Sequence, residues 1–215
     1  MLRVLRYETD SSFYTTANIF PAEAASAAEN LQSPQQALAS LNLLEVKGRA
    51  PKTGYSRAQF PHWSDLDRNG CDSRNEILKR DLTQIIYKAG TGDCKVLSGV
   101  LLDPFSNKNL IFSSSKSSID IDHLVALSNA WQSGAAYFDK SIRSQIANDP
   151  LNLLAVDAKL NRQKGDGDAA TWLPPNKAFR CEYVSRQVAV KAKYSLWVTA
   201  SEKAAITRVL NQCLG

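Results

Sequence analysis

Residues 119–127, with the sequence IDIDHLVAL, constrain most strongly what this chain can fold into. Apolar and acidic side chains alternate at the start of the stretch, which is typical of a half-buried strand. The strand ends on Asp122 and His123, and His123 is one of only two histidines in the 215 residues. A carboxylate beside an imidazole suits a metal ligand next to a general base. The alternative is a histidine that is merely hydrogen-bonded at a strand end, which is the commoner outcome for an isolated Asp-His dipeptide.

A second strand and a short helix follow downstream. Residues 153–156 (LLAV) form a short apolar run, and residues 158–164 (AKLNRQK) predict a helix that the following glycine ends. Asn161 and Lys164 are three residues apart on this helix, so they share one face. If the helix packs across the two strands, Asn161 points towards Asp122.

This arrangement predicts a site for one hard divalent cation. Asp122 and the amide oxygen of Asn161 would be two ligands, leaving positions for water and phosphate, as Mg²⁺ prefers. His123, whose ordinary pKa is about 6.5, would take a proton from water near neutral pH. Lys164 would contact a phosphate as a point charge. The cation would polarise a phosphoryl oxygen and stabilise the leaving alkoxide.

Taken together, these residues resemble the HNH endonucleases of the ββα-metal fold. Among them, the chain is most similar to the bacterial group whose domain is shared with the GmrSD restriction enzymes. The resemblance implies that Asp122 is the first metal ligand, that His123 is the general base, and that Asn152 orients His123 through a hydrogen bond. Asn161 stands where the family name expects a histidine, and it is implied to be the second metal ligand. Three further charged residues are expected near the site with no assigned role: Arg74, Asp120 and Asp166.

Residues 65–76 (DLDRNGCDSRNE) match the calcium-loop pattern D-x-D-x-N-G-x5-E. The predicted calcium ligands are Asp65, Asp67, Asn69 and Glu76. The helix that normally enters such a loop is missing, because Phe-Pro-His-Trp precedes it. An Asx-turn loop that only caps the next helix is therefore the alternative.

The four cysteines are even in number and widely spaced, which suits two disulfides in an oxidising compartment. We expect Cys71 to pair with Cys94, and Cys181 with Cys213, although four cysteines allow three connectivities. Four reduced cysteines in a cytosolic protein are the alternative. No C-x-x-C pair is present, which argues against a zinc ribbon. The cysteines alone predict secretion, because residues 1–8 lack the apolar core of a signal peptide.

Basic residues concentrate at the C-terminal end of the chain. Residues 177–215 hold seven lysines and arginines against two glutamates, which accounts for the net charge of +5. Such a segment suits a polyanionic partner, although a solvated helix face looks similar. No apolar run approaches the roughly 20 residues that a membrane-spanning helix needs.

The predicted fold class is α+β, with a ββα-metal (HNH) core, an extra hairpin and C-terminal helices. Residues 1–45 are predicted to be an N-terminal arm with a short packing helix, and residues 46–215 the nuclease domain. The predicted function is a secreted, monomeric endonuclease that uses Mg²⁺ or Mn²⁺ to cut DNA, or RNA. The alternative is a secreted, calcium-stabilised binding module with a degenerate nuclease site.

Overall fold

The computed structural model describes residues 31–116 and 118–215 of the chain, which form an α+β fold. The helices are α1 (Pro34–Leu43), α2 (Ser73–Asp81), α3 (Leu127–Gln132), α4 (Lys140–Asn148), α5 (Ala158–Lys164), α6 (Arg180–Lys193) and α7 (Ala200–Cys213). The strands are β1 (Thr83–Tyr87), β2 (Val96–Asp103), β3 (Lys108–Ser113), β4 (Ile119–His123) and β5 (Leu153–Asp157). They form a three-stranded sheet in the order β1-β2-β3 and a two-stranded sheet of β4 and β5.

The two-stranded sheet of β4 and β5 is followed along the chain by α5. These three elements form a β-β-α unit. β4 and β5 are antiparallel, with Asp122 opposite Leu154 and His123 opposite Leu153. Asp157 accepts hydrogen bonds from the first turn of α5, and Gly165 ends that helix with a φ of 53°. The chain therefore turns directly from β5 into a helix that packs on both strands.

The β4–β5 sheet is buried on both faces. Because residues paired across the strands share a face, Asp120 and Asp122 lie on the side of Val156 and Leu154. That side packs on the core formed with α6. The opposite side packs on α2 and the three-stranded sheet, through Ile119 and Ile121 among others.

The hairpin of β2 and β3 was predicted, whereas β1 was not. The pairing of β1 with β2 is irregular, with register shifts on both sides of Ile86, and Gln84 has a φ of 50°. Its residues are largely exposed, so they lack the alternation that marks a half-buried strand.

Helix α1 packs into the same core as the C-terminal helices. Ser33 and Gln36 form a capping box at its start, and Pro34 occupies its first turn. Ala37 and Leu41 are fully buried against residues of α6 and α7. The compact unit therefore starts at Leu31 and includes the helix that the predicted boundary at residue 45 separates from it. Residues 1–30 of the predicted arm lie outside the described residues.

Both predicted disulfides are present. Cys71–Cys94 joins the segment before α2 to the segment before β2, and Cys181–Cys213 joins the start of α6 to the end of α7. Among the described residues, no helix is both long and apolar enough to cross a membrane.

Candidate functional site

A cavity of about 440 Å³ opens beside the C-terminal end of β4. It brings together six residues that the sequence placed at or near the site: Arg74, Asp120, Asp122, His123, Asn161 and Asp166. The two other predicted site residues, Asn152 and Lys164, are buried, with exposures of 0% and 3%.

His123 is held in one orientation by the end of α4. Its Nε2 lies 2.9 Å from the carbonyl oxygen of Ala147. Because a carbonyl only accepts hydrogen bonds, Nε2 carries the hydrogen and Nδ1 keeps its lone pair. Burial lowers the pKa of His123 from 6.5 to about 3, so the ring is neutral around pH 7. A neutral ring with a free lone pair can accept a proton.

An indole packs beside this imidazole. The ring of Trp63 lies 5.9 Å from the ring of His123, and the guanidinium of Arg74 lies 5.8 Å from the Trp63 ring. Trp63 has a φ of 59°, which is rare for a bulky residue. Sequence reasoning did not identify Trp63, because nothing local marks a residue whose partners lie on β4 and α2.

Asn152 supports the histidine indirectly, and this corrects the expectation of a hydrogen bond between the two residues. The His123 ring donates its hydrogen bond to the Ala147 carbonyl instead. The Asn152 side chain accepts from the backbone N–H of Val125 at 2.8 Å and donates to the carbonyl of Ile146 at 3.1 Å. It thus ties the chain that follows His123 to the helix end that holds the ring.

A second asparagine fastens the loop that carries Trp63. Asn148 accepts hydrogen bonds from the Ser64 N–H at 2.8 Å and the Ser73 hydroxyl at 2.7 Å, and it donates to the carbonyl of Pro61 at 2.8 Å. Asn148 directly follows Ala147. One short segment therefore fixes both the imidazole and the loop packed on it.

Lys164 does not sit where a phosphate contact requires it. Its ammonium donates to Asp122 Oδ1 at 2.9 Å and to the carbonyl oxygen of His123 at 2.8 Å. Both side chains are buried, so the two form an internal ion pair. The predicted phosphate contact is wrong for this structure, because the same helix face that carries Asn161 brings Lys164 onto the carboxylate.

Asp122 keeps one oxygen available. Burial raises the pKa of its carboxyl group, and the charge of Lys164 opposes that rise. Its Oδ2 is buried and accepts no hydrogen bond from any described residue. An orphaned buried carboxylate oxygen is costly, and a cation is one group that would satisfy it.

Asp120 and Asn161 meet at the same cavity. The Nδ2 of Asn161 lies 3.4 Å from Asp120 Oδ2, which is a long hydrogen bond. Asp120 is only half-buried. The strand pattern contained this information, because Asp120 and Asp122 are two residues apart and therefore project from one face of β4.

Three arginines make the lining of the cavity positive. They are Arg57, from the loop before α2, Arg74, from α2, and Arg162, from α5. Asp166 also lines the cavity, but it is neutralised by Lys52 at 2.6 Å. An anionic substrate therefore meets basic side chains from three separate parts of the chain.

The basic C-terminal segment is partly internal, which corrects its interpretation as a surface for a polyanion. Arg186 is buried and donates to backbone carbonyls of Pro150, Leu151 and Leu153. Lys191 is buried on Glu202 at 2.8 Å. These charges stabilise the fold, and Arg186 in particular holds the loop that precedes β5.

Among the predicted calcium ligands, the side-chain amide of Asn69 lies between the carboxylates of Asp67 and Glu76. Asn69 Nδ2 donates to Asp67 Oδ2 at 2.9 Å and to Glu76 Oε1 at 2.7 Å, and both oxygens of Asp65 accept backbone N–H groups. Asp72 caps α2. Within the described part of the chain, no three His, Cys, Asp or Glu side chains are grouped so as to hold a metal ion. Calcium at this loop stays a prediction.

Comparison with known proteins identifies relatives. Residues 72–209 match the family described as the C-terminal domain of GmrSD restriction endonucleases. The chain is also 39% identical over 186 residues to an uncharacterized secreted protein of Arthroderma benhamiae, an alignment that covers 86% of this chain and 88% of that relative. No solved structure matches the chain significantly. Because the family match spans well over half of the chain and includes the whole β-β-α unit, this protein belongs to the family of the GmrSD C-terminal domain.

Proposed function

We propose that this protein is a metal-dependent endonuclease that hydrolyses phosphodiester bonds of DNA, with RNA as the alternative substrate. The observation that carries the proposal is the His123 ring, neutral and fixed by the Ala147 carbonyl, beside the orphaned Oδ2 of Asp122. Membership of a restriction-endonuclease family supports a nuclease-like activity.

Asp122 and Asn161 would hold the cation, Mg²⁺ or Mn²⁺. Their chemistry fits, because the carboxylate offers an unpaired buried oxygen and the amide offers a neutral one. When bound, such a cation polarises a phosphoryl oxygen and stabilises the negative charge of the leaving alkoxide.

His123 acts on the attacking water. Nδ1 takes a proton while the water oxygen forms a bond to phosphorus, and the bond from phosphorus to the leaving sugar oxygen breaks. The leaving oxygen takes a proton from solvent. The Ala147 carbonyl keeps the Nε2 hydrogen in place throughout, and it stabilises the imidazolium that forms. The anionic phosphate beside the ring raises the low pKa of His123 while substrate is bound.

The arginines of the cavity bind the nucleic-acid backbone. Arg57, Arg74 and Arg162 reach the cavity from three parts of the chain, so they can contact phosphates on more than one side of the cleaved bond. Contacts to phosphates carry no base information, so we infer weak sequence specificity. Two disulfides and a secreted relative are consistent with extracellular localisation, and we propose that the protein acts there as a monomer.

A plasmid-nicking assay with one matched control tests this function. The wild-type protein is expected to nick supercoiled plasmid with Mg²⁺ or Mn²⁺ and to stop when EDTA is added. His123→Ala is expected to lose cleavage while its melting transition and DNA binding persist. The control is His62→Ala, which removes the only other histidine. His62 contacts the Phe60 carbonyl at 3.0 Å and lies 3.4 Å from the Nε of Arg57, so this variant should keep cleavage activity and at most weaken DNA binding. Full activity of His123→Ala would refute the mechanism.

A further inference from the structure

The carboxylates that line the cavity differ in how far their charge is compensated. Three of them line it: Asp120, Asp122 and Asp166. Asp122 is paired with Lys164 at 2.9 Å, and Asp166 with Lys52 at 2.6 Å. Among the residues that the structure describes, Asp120 has no ion pair. It therefore supplies the uncompensated negative charge of this cavity.

This distribution matters for any cation bound there. The pair of Asp122 and Lys164 is neutral as a whole, and the amide of Asn161 is neutral too. Three arginines also line the cavity and repel a cation. Two ligands with no net charge in a positive cavity give little attraction for a divalent ion, because affinity for hard cations rises with the number of carboxylate charges. A third, charged oxygen ligand resolves this difficulty.

Asp120 is placed to be that ligand. It projects from the same face of β4 as Asp122, and its Oδ2 lies 3.4 Å from the amide of Asn161. A half-turn of that amide exchanges Nδ2 for Oδ1, which places two ligand-type oxygens side by side. A second observation points to the same site independently, since Oδ2 of the buried Asp122 is unpaired.

We propose that Asp120 is a metal ligand and supplies the charge that recruits the cation to Asp122 and Asn161. The site then consists of one carboxylate oxygen from each aspartate and the Asn161 amide oxygen, with the remaining positions left to water and phosphate. Lys164 fixes Asp122 through Oδ1, so that Asp122 contributes Oδ2 alone. This inference rests on the proposed function, because it assigns a further residue to the same metal site.

Calorimetric titration of Mn²⁺ into the full chain tests the assignment without nucleic acid. Asp120→Asn removes the charge and keeps the shape of the side chain. It is expected to raise the dissociation constant for Mn²⁺ by about 10- to 100-fold. Asp166→Asn is the matched control, because it removes the same charge from the same cavity but from a carboxylate paired with Lys52. The control is expected to bind Mn²⁺ within a few-fold of the wild type. If Asp120→Asn does not fold, Asp120→Ser takes its place.

The outcomes separate this inference from the proposed function. An Asp120→Asn variant that binds Mn²⁺ as tightly as the wild type overturns the inference, and so does a wild-type protein that binds no Mn²⁺. Equal losses in Asp120→Asn and Asp166→Asn overturn it too, because only the overall charge of the cavity would then matter. If the expected difference appears but the wild type cuts no nucleic acid, the metal site stands and the proposed function fails.

Discussion

The ion pair of Lys164 with Asp122 gives a direct measure of how this site is built. Lys164→Met removes the ammonium and keeps most of the apolar stem. Both side chains are buried, so the variant leaves a carboxylate without its partner in a region that water hardly reaches. Removing one partner of such a pair costs about 3 to 5 kcal/mol of the free energy of unfolding. The carbonyl of His123 also loses its hydrogen bond to Lys164, and the cost of that loss is already included in the range of about 3 to 5 kcal/mol.

The assay is equilibrium unfolding in guanidinium chloride, with the disulfides intact and EDTA present. The matched control is Lys52→Met, which breaks the pair with Asp166. That pair is similar in length, but its side chains are 53% and 49% exposed, so the loss should stay below about 1 kcal/mol. The double variant Lys164→Met, Asp122→Asn should recover part of the loss, because it leaves no unpaired charge. Equal destabilisation by Lys164→Met and Lys52→Met would refute the argument that burial decides the cost.

Two further predictions concern the supports of the site. Asn152→Ala leaves the N–H of Val125 and the carbonyl of Ile146 unpaired in the core. Guanidinium unfolding should therefore show a free energy of unfolding lower by about 2 to 4 kcal/mol, and plasmid nicking should slow. Unchanged stability would contradict the supporting role of Asn152. Calcium should raise the melting temperature of the wild type, because it would draw together the carboxylates around Asn69, and the variant Asp65→Ala, Glu76→Ala should abolish the rise. A melting temperature that does not respond to calcium would show that the loop is only a cap for α2.

Local patterns were sufficient for much of the fold. A short packing helix before residue 45 was predicted and is α1, and the apolar run at residues 153–156 predicted β5. The expected pairs Cys71–Cys94 and Cys181–Cys213 are both present. Strand β1 was missed because only its pairing with β2 defines it. The partners of α1 could not be predicted for a related reason, since the burial of Ala37 depends on helices near the other end of the chain.

The candidate site was likewise predicted in part from local patterns. The strand pattern and helical spacing correctly brought Asp122, His123 and Asn161 to one cavity. The spacing also placed Asn161 and Lys164 on one face, but it could not decide which of them reaches Asp122. The hydrogen bond that orients His123 could not be predicted from the sequence either. Its acceptor is the backbone carbonyl of Ala147, and every residue has such a group.

The choice of Lys164 as the partner of Asp122 has a physical consequence for the whole centre. A buried carboxylate needs a compensating charge for the fold to be stable, and an exchangeable cation is present only when its concentration allows. Lys164 supplies that charge permanently and is itself held by the His123 carbonyl, so the ends of β4 and α5 are joined independently of the ion. The cost is that Asp122 would attract a cation less strongly than an unpaired carboxylate does. In the metal site that we propose, a second carboxylate, at Asp120, would offset this cost because it lies on the same strand face and is only half-buried. On this proposal, stabilising the fold and recruiting the cation would fall to different aspartates two residues apart.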